Sequence, residues 1–387
     1  MSSPLRDNMH MVLEGHITLL APLSHIGESI STDSYLNTVS IIGPDSQPED
    51  VFIYSGNAWR GMMRDLGAKY LLEKLSIGTL PLEMFYLLFS GGNIGGEQKI
   101  DLEQARRLRK ALPFFSLYGG GVGNQILGGK LNVGAMYPIC RECERVLPEA
   151  LKGVSTSWRE WITEQSYTRT DDAKDERLTE RFMRDLMIAG QKEMDAHLLP
   201  ETTEQRTLND EIDARADKAI DAQLYGRKTG GAKQTAQPPK DSKGKRDKQQ
   251  DKAKDGPAQQ MRYTQELMAP GSEFWQRIDL RGVNELEAGA LVSCLHEFAK
   301  HPYIGGQARI GHGLCRMAYT WRDLREDGGR PRKFLTAGPE GVEMGERAQE
   351  SMDAYNEFLA EIYSRYLADN RQPLAGLISG KEATAQA

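Results

Sequence analysis

The 387-residue chain has no run of eighteen or more apolar residues, so no membrane-spanning helix is predicted. Its opening, MSSPLRDNMHM, lacks the charged-then-apolar layout of a secretory signal, and a soluble, cytoplasmic protein is expected. Cysteine is scarce. Cys140, Cys143, Cys294 and Cys315 are too few and too scattered to frame a chain of this size with disulfides. Cys140 and Cys143 form a C-x-x-C, yet no second cysteine pair or paired histidine motif completes a zinc site, so reduced thiols and no metal are expected.

Signatures of catalysis are missing too. No G-x-x-x-x-G-K-[ST] occurs, which argues against a nucleotide-hydrolysing P-loop, and no G-x-S-x-G elbow supplies a nucleophile. HEFAKH at 296–301 resembles a metalloprotease helix only at first glance. Its histidines are five residues apart instead of four, which turns them roughly 140° from each other on a helix. No catalytic residue and no cofactor are assigned. The one acid of interest is Asp33, since a carboxylate on a loop facing a polynucleotide can take part in metal-assisted or general-base cleavage of RNA. Loop aspartates more often form turns. A formal net charge of −6 argues against coating free nucleic acid by bulk electrostatics, so any such role needs a local basic track on an acidic body.

Glycine and arginine are what the chain does concentrate. In Ile304–Met317, IGGQARIGHGLCRM, Gly305, Gly306, Gly311 and Gly313 alternate with Arg309, His312 and Arg316. Such a backbone can approach a partner closely while cationic or imidazole side chains stand beside it, which suits a polyanion. A tight connection between elements reads the same way. Upstream, the apolar Val51–Tyr54 runs into Ser55-Gly56-Asn57 and then a helix whose stripe is Trp59, Met62, Met63, Leu66 and Tyr70, with Arg60 and Arg64 on another face. Strand, glycine turn, helix start and arginine make a phosphate seat, or an ordinary capped helix with solvated arginines.

LEGHITLL at 13–20 alternates like a strand, and Ser24 and His25 follow in a turn. LEMFYLLF reads as core helix, LEQARRLRKAL as a basic-faced helix stopped by Pro113, and GKLNVGAMYP as a strand leaving a glycine loop. Charged helices are expected at 177–197 and 208–224, then a Lys-, Asp- and Gln-rich stretch at 227–257 that cannot bury enough surface to fold alone. MRYTQELMAPGSEFWQRIDL reads as two strands hinged at Pro270-Gly271. Asn284 with Glu287 reads as a capping box for a helix burying Leu291, Cys294, Leu295 and Phe298, and an amphipathic helix carries Met352, Tyr355, Phe358, Leu359, Ile362 and Tyr366.

Taken in order, EGHITLLAPLSHIGES, VFIYSGNAWRGMMRDL, LYGGGVGNQILGGKLNVGAMYP, RYTQELMAPGSEFWQRIDL and IGGQARIGHGLCRMAY resemble the RAMP superfamily, specifically the backbone subunit of CRISPR effector complexes in its type IV form. The resemblance covers roughly 1–140 and 258–320 and implies an α+β fold: a modified RRM-like (ferredoxin-like) core with an antiparallel sheet, a helical insertion and a thumb hairpin. The implied division is 1–175 with 258–341 as core and thumb, 176–257 as a helical and flexible basic insertion, and 342–387 as C-terminal helix and tail.

The resemblance further implies head-to-tail assembly of copies along a CRISPR guide RNA, with target DNA or RNA and other effector subunits as partners: a large subunit, a guide 5′-end cap subunit, a guide-processing endonuclease and a helicase. Ser55, Gly56, Asn57, Arg60 and Arg64 would lie at the guide backbone, with Ser24 and His25 facing it, Arg169 on the thumb, and Gly305, Gly306, Arg309, Gly311, His312 and Gly313 beneath it. Leu267 or Met268 would wedge between bases. Type III relatives place a cleaving Asp after the first strand, followed by an apolar-Pro-apolar segment. Here Asp33 precedes SYLNTV without a proline, so this subunit is expected not to cut; a guide-directed RNA endonuclease using Asp33 is the alternative.

Overall fold

The computed structural model describes residues 7–78, 80, 82–92, 102–122, 125–170, 260–325 and 329–366. The chain divides into two compact units, Met1–Tyr167 with Arg262–Ala387, and Thr168–Met261. Of the second, only 168–170 and 260–261 are described, as the ends of two strands that belong mainly to the first. The expected insertion at 176–257, the part of the expected thumb (164–175 and 260–266) at 171–175, and the tail after 366 lie outside the described residues.

Strands are, in chain order, β1 (Met9–Leu19), β2 (Ile26–Ile30), β3 (Asp33–Leu36), β4 (Thr38–Ile42), β5 (Pro48–Phe52), β6 (Gly119–Val122), β7 (Gln125–Gly128), β8 (Leu131–Val133), β9 (Tyr137–Pro138), β10 (Ile162–Thr170), β11 (Gln260–Met268), β12 (Glu273–Val283), β13 (Cys315–Asp323), β14 (Arg332–Gly338) and β15 (Gly341–Met344). Helices are α1 (Gly56–Lys74), α2 (Leu82–Phe85) running into a π-turn at Tyr86–Ser90, α3 (Leu102–Ala111), α4 (Pro113–Tyr118), α5 (Glu285–Lys300) and α6 (Glu346–Tyr366). The fold is α+β. Its main sheet is antiparallel, ordered β15-β14-β13-β1-β12-β8 with β9 also on β12. A second sheet is ordered β10-β11-β3-β2, and β4-β5 and β6-β7 are separate hairpins.

β1 sits at the centre because its sequence alternates: Met11, Leu13, Ile17 and Leu19 are buried, while Glu14, His16 and Thr18 on the other face stay partly exposed. Gly15 faces Tyr319 across the β1–β13 ladder, and a Cβ there would meet the Tyr319 ring. Its absence lets that ring cross β1 and donate its hydroxyl to Gln276 Oε1 at 2.7 Å. On the face away from the core three cations are paired with acids: Arg277 with Asp279 at 2.8 Å, Arg322 with Glu14 at 3.3 Å, and Arg316 with Glu340. Arg281, two residues after Asp279 on the same face, is exposed with no ion-pair partner among the described residues.

The helices cover the opposite face. Asn284 caps α5 by accepting from Glu287 N–H at 2.9 Å while Glu287 Oε2 accepts from Asn284 N–H at 2.8 Å. Both oxygens of the Glu287 carboxylate also accept from Lys130 Nζ at 2.7 Å, tying the helix start to the chain entering β8. Glu285 pairs with Arg347 at 2.5 Å, both about one-twentieth exposed, and Ser351 donates to its other oxygen at 2.6 Å, which seats α6 on α5. α1 contributes Trp59, Met63, Tyr70 and Leu71 to the core, with Trp59 edge-on to Phe298 of α5 at 5.0 Å. All four cysteines are free and buried. Among the described residues no helix is long and apolar enough to cross a membrane, and no group of three His, Cys, Asp or Glu is placed to hold a metal ion.

Two expectations need correction. LEMFYLLF is a short helix and a π-turn rather than one core helix, with Leu82 and Phe85 exposed while Met84, Leu87 and Leu88 are buried. Leu267 and Met268 cannot wedge between bases. They are 1% and 0% exposed, and Met268 pairs through its backbone with Leu23, at the foot of β11 where packing against the main body begins.

Candidate nucleic-acid interface

Three glycine- and serine-bearing turns meet at one place. The first, Ala21 to His25, leaves β1. Its Ser24 carbonyl accepts Gly306 N–H at 2.8 Å, and its Pro22 carbonyl accepts Gly313 N–H at 2.7 Å. The second turn, Tyr54 to Asn57, leaves β5 and starts α1. Ser55 N–H donates to His25 Nε2 at 3.2 Å, and the Tyr54 hydroxyl accepts Gly305 N–H at 3.2 Å. The third is the bend from Gly305 to Gly313. Residues separated by more than 250 positions therefore share hydrogen bonds.

Glycine is required at specific points of this junction. Gly305 has φ +77°, and a Cβ there would come within 2.6 Å of Leu23 Cδ1 as well as onto the Ser24 carbonyl. At Gly56 a Cβ would lie 2.5 Å from the Val133 carbonyl oxygen, so the start of α1 can press on the end of β8 only without a side chain. Between these points the bend rises into a short 3₁₀ turn at Ala308–Ile310. Gln307 before it takes a left-handed φ of 62°, and residues 306–311 stand exposed. Arg309 is exposed there with no ion-pair partner among the described residues.

The helix start adds donors. Ser55 is the N-cap in an extended conformation, but its side chain makes no capping bond and the first turn carries no acid. The first amides of α1 keep their capacity to bind an anion, and the partial positive charge of a 19-residue helix is not offset locally. His25, half-buried with its ring 4.6 Å from that of Tyr54, accepts through Nε2 and so carries its proton on Nδ1. Burial lowers its pKa, and burial does the same to His312. Burial pushes the Tyr54 phenol up to about 12, which keeps it a neutral acceptor for Gly305.

The expected residues are distributed unevenly. Ser55, Gly56, Asn57, His25, Gly305, Gly306, Arg309 and Gly311 line the junction. Ser24 is 2% exposed and supports it from behind. His312 is 6% exposed, turned inward, with Nδ1 unpartnered among the described residues, so it does not stand beside an approaching backbone. Arg64 is corrected more sharply. It is 7% exposed and donates to the Tyr118 carbonyl at 3.0 Å and the Gly119 carbonyl at 2.8 Å. Arg60 donates to the same Tyr118 carbonyl. Both guanidinium groups lie over the Tyr118 ring, at 5.4 Å for Arg64 and 5.7 Å for Arg60. Burial, and then the Arg60 charge, lowers the Arg64 pKa, but the group stays cationic and braces the turn at Gly119. Arg169 is placed only as a backbone position in β10. Asp33 opens β3, paired with Ile30 across the β2–β3 hairpin and with Thr264 of β11.

Sequence reasoning missed Gln265 and Tyr54. Gln265, 3% exposed on β11, donates to the Ser24 hydroxyl and accepts from Gln307 Nε2 at 2.8 Å, so a chain of amide and hydroxyl groups runs beneath the junction from the second sheet to the bend. Neither residue had a local signal, because both act through partners far away in sequence.

No protein family and no curated protein matches this sequence. Among solved structures, a chain described as "Type IV-B CRISPR Complex" is similar at 15% identity, with a TM-score of 0.46 over 80% of this chain and 90% of that one.

Proposed function

We propose that the chain is a guide-RNA-binding backbone subunit of a type IV CRISPR effector ribonucleoprotein, assembled in several copies and without cleavage activity of its own. The observation that carries this reading is the meeting of the turns at Ser24, Gly56 and Gly306 through the Ser24–Gly306, His25–Ser55 and Tyr54–Gly305 hydrogen bonds. Together they offer uncapped helix amides and the exposed Arg309, beside glycines whose missing side chains let a strand come close, a set that contacts phosphate and ribose without reading bases. A guide carrier needs that indifference, since base pairing identifies the target.

The ordered motifs add to it, as does a topology compatible with an RRM-like core. β8-β12-β1-β13 are neighbours in that order, with α1 following β1 and α5 joining β12 to β13.

Expression of the full chain with a CRISPR array tests the proposal. RNA should co-purify in a particle of several subunit masses, and an RNA-free monomer overturns it. Asp33→Ala in that particle should leave a complementary RNA as intact, with divalent metal present, as the unaltered chain does.

A further inference from the structure

The second sheet has two chemically different faces. Register places Ser34 beside Gln265 and opposite Ser29, with the two serine hydroxyls 3.1 Å apart, so these three side chains share a face. Tyr263, two residues before Gln265, lies on it as well, and Tyr167 of β10 stacks on Tyr263 with ring centroids 5.5 Å apart and planes 15° from parallel. Alternation adds Gln165. The other face carries Asp33 and Thr264, Glu28 opposite Tyr35, Glu266, and Arg262 donating to Ser166 at 3.2 Å. Every acid of β2, β3 and β11 is therefore on one side, and the side with the tyrosine stack carries hydroxyl, amide and aromatic groups beside the buried Leu36 and Leu267.

We infer that the Tyr167–Tyr263 stack is a nucleobase platform, on which one base of the bound strand lies while its backbone passes the junction. The stack is not sealed into a core: Tyr167 keeps 46% of its surface exposed. Gln265 lies two residues, about 7 Å, along β11 from Tyr263, and its amide joins directly to Ser24 and Gln307 of the junction. An uncharged aromatic surface accepts any base through its π-face, and Ser29, Ser34 and the exposed Gln165 offer donors and acceptors to a base edge. The polar, acid-free lining favours a base over an apolar protein segment. This inference rests on the RNA-binding reading proposed for the junction and adds a base contact to a site otherwise made for backbone.

The test uses the full-length chain with two probes of equal length, single-stranded oligoadenylate and the same ribose-phosphate chain lacking bases. Tyr167→Leu combined with Tyr263→Leu keeps the strands apolar and should weaken oligoadenylate binding about 5- to 150-fold, the range for loss of one aromatic–base stack, while leaving the abasic probe unchanged. Tyr167→Trp should retain binding, and 2-aminopurine in the oligomer should lose its quenching only in the leucine variant. Equal binding of oligoadenylate by both forms makes the pair a cross-strand sheet contact and overturns the inference. Unchanged RNA binding with failed self-assembly assigns the face to a protein and overturns it too. A wild-type chain that binds neither probe overturns this inference together with the proposed function.

Discussion

At the scale of single residues, three side chains that look alike in sequence do different work. Arg60, Arg64 and Arg309 all sit near glycine turns, but only Arg309 is exposed without a partner among the described residues. Arg64→Ala removes a buried cation from the Tyr118 and Gly119 carbonyls and should destabilise the fold by about 2–4 kcal/mol, read as a lower urea midpoint. Arg309→Ala should leave stability within about 0.5 kcal/mol, yet weaken retention of all RNA sequences alike and flatten the salt dependence by about one contact's worth of slope. Gly305→Ala strains a positive φ and pushes a methyl group against Leu23 and the Ser24 carbonyl. A loss of roughly 1–3 kcal/mol is expected in thermal denaturation.

His25 gives the junction a pH dependence of known sign. Its pKa is lowered in the folded chain because burial penalises the cation, so the unfolded chain binds the proton first. The stability it contributes is complete above the ordinary histidine value of about 6.5 and is lost as pH falls through the lower folded value, where Nε2 can no longer accept from Ser55. A melting temperature followed from about pH 8 down to about pH 5 should therefore fall less steeply in His25→Gln than in the unaltered chain. Parallel curves would show that this histidine is not the group involved.

Elements were legible where their period is long and local. α1 and α5 announced themselves by apolar spacing, and the capping box Asn284–Glu287 was visible as a motif and is formed. Asn284→Ala should lower stability by about 1 kcal/mol. Glu287→Ala should lower it further, because it also strips Lys130 of its partner; equal losses in chemical denaturation would mean the Lys130 link adds nothing. Short strands were less legible. RYTQELM reads as an extended segment, but whether Leu267 and Met268 wedge outward or pack inward depends on the chain that lies across them, and the Leu23 backbone decides it. The π-turn after α2 had no sequence signal either: it closes with Gly92 N–H donating to the Tyr86 carbonyl, and Gly91 and Gly92 lie against Arg64 and Gly121 from distant parts of the chain.

For the whole molecule, an acidic sum conceals a local arrangement. A net charge of −6 coexists with a junction whose exposed cation, Arg309, has no ion-pair partner among the described residues. The RNA-loaded particle should therefore come apart with rising salt while the protein fold persists, which sedimentation and circular dichroism at increasing potassium chloride would show together.

What the amino-acid order determined by itself was the presence of both strands and helices, the buried stripes of the long helices, and the glycines where the backbone must turn or be approached, since these depend on neighbours within a few residues, while the α+β class came with the family resemblance. Only the tertiary structure decided which turns meet, that Arg64 is a brace and Arg309 an exposed cation, and that Gln265 joins the second sheet, and Tyr54 the turn before α1, to the bend. Those outcomes depend on contacts between residues from 42 to more than 250 positions apart, the longest of which exist only once β1, β12 and β13 have paired.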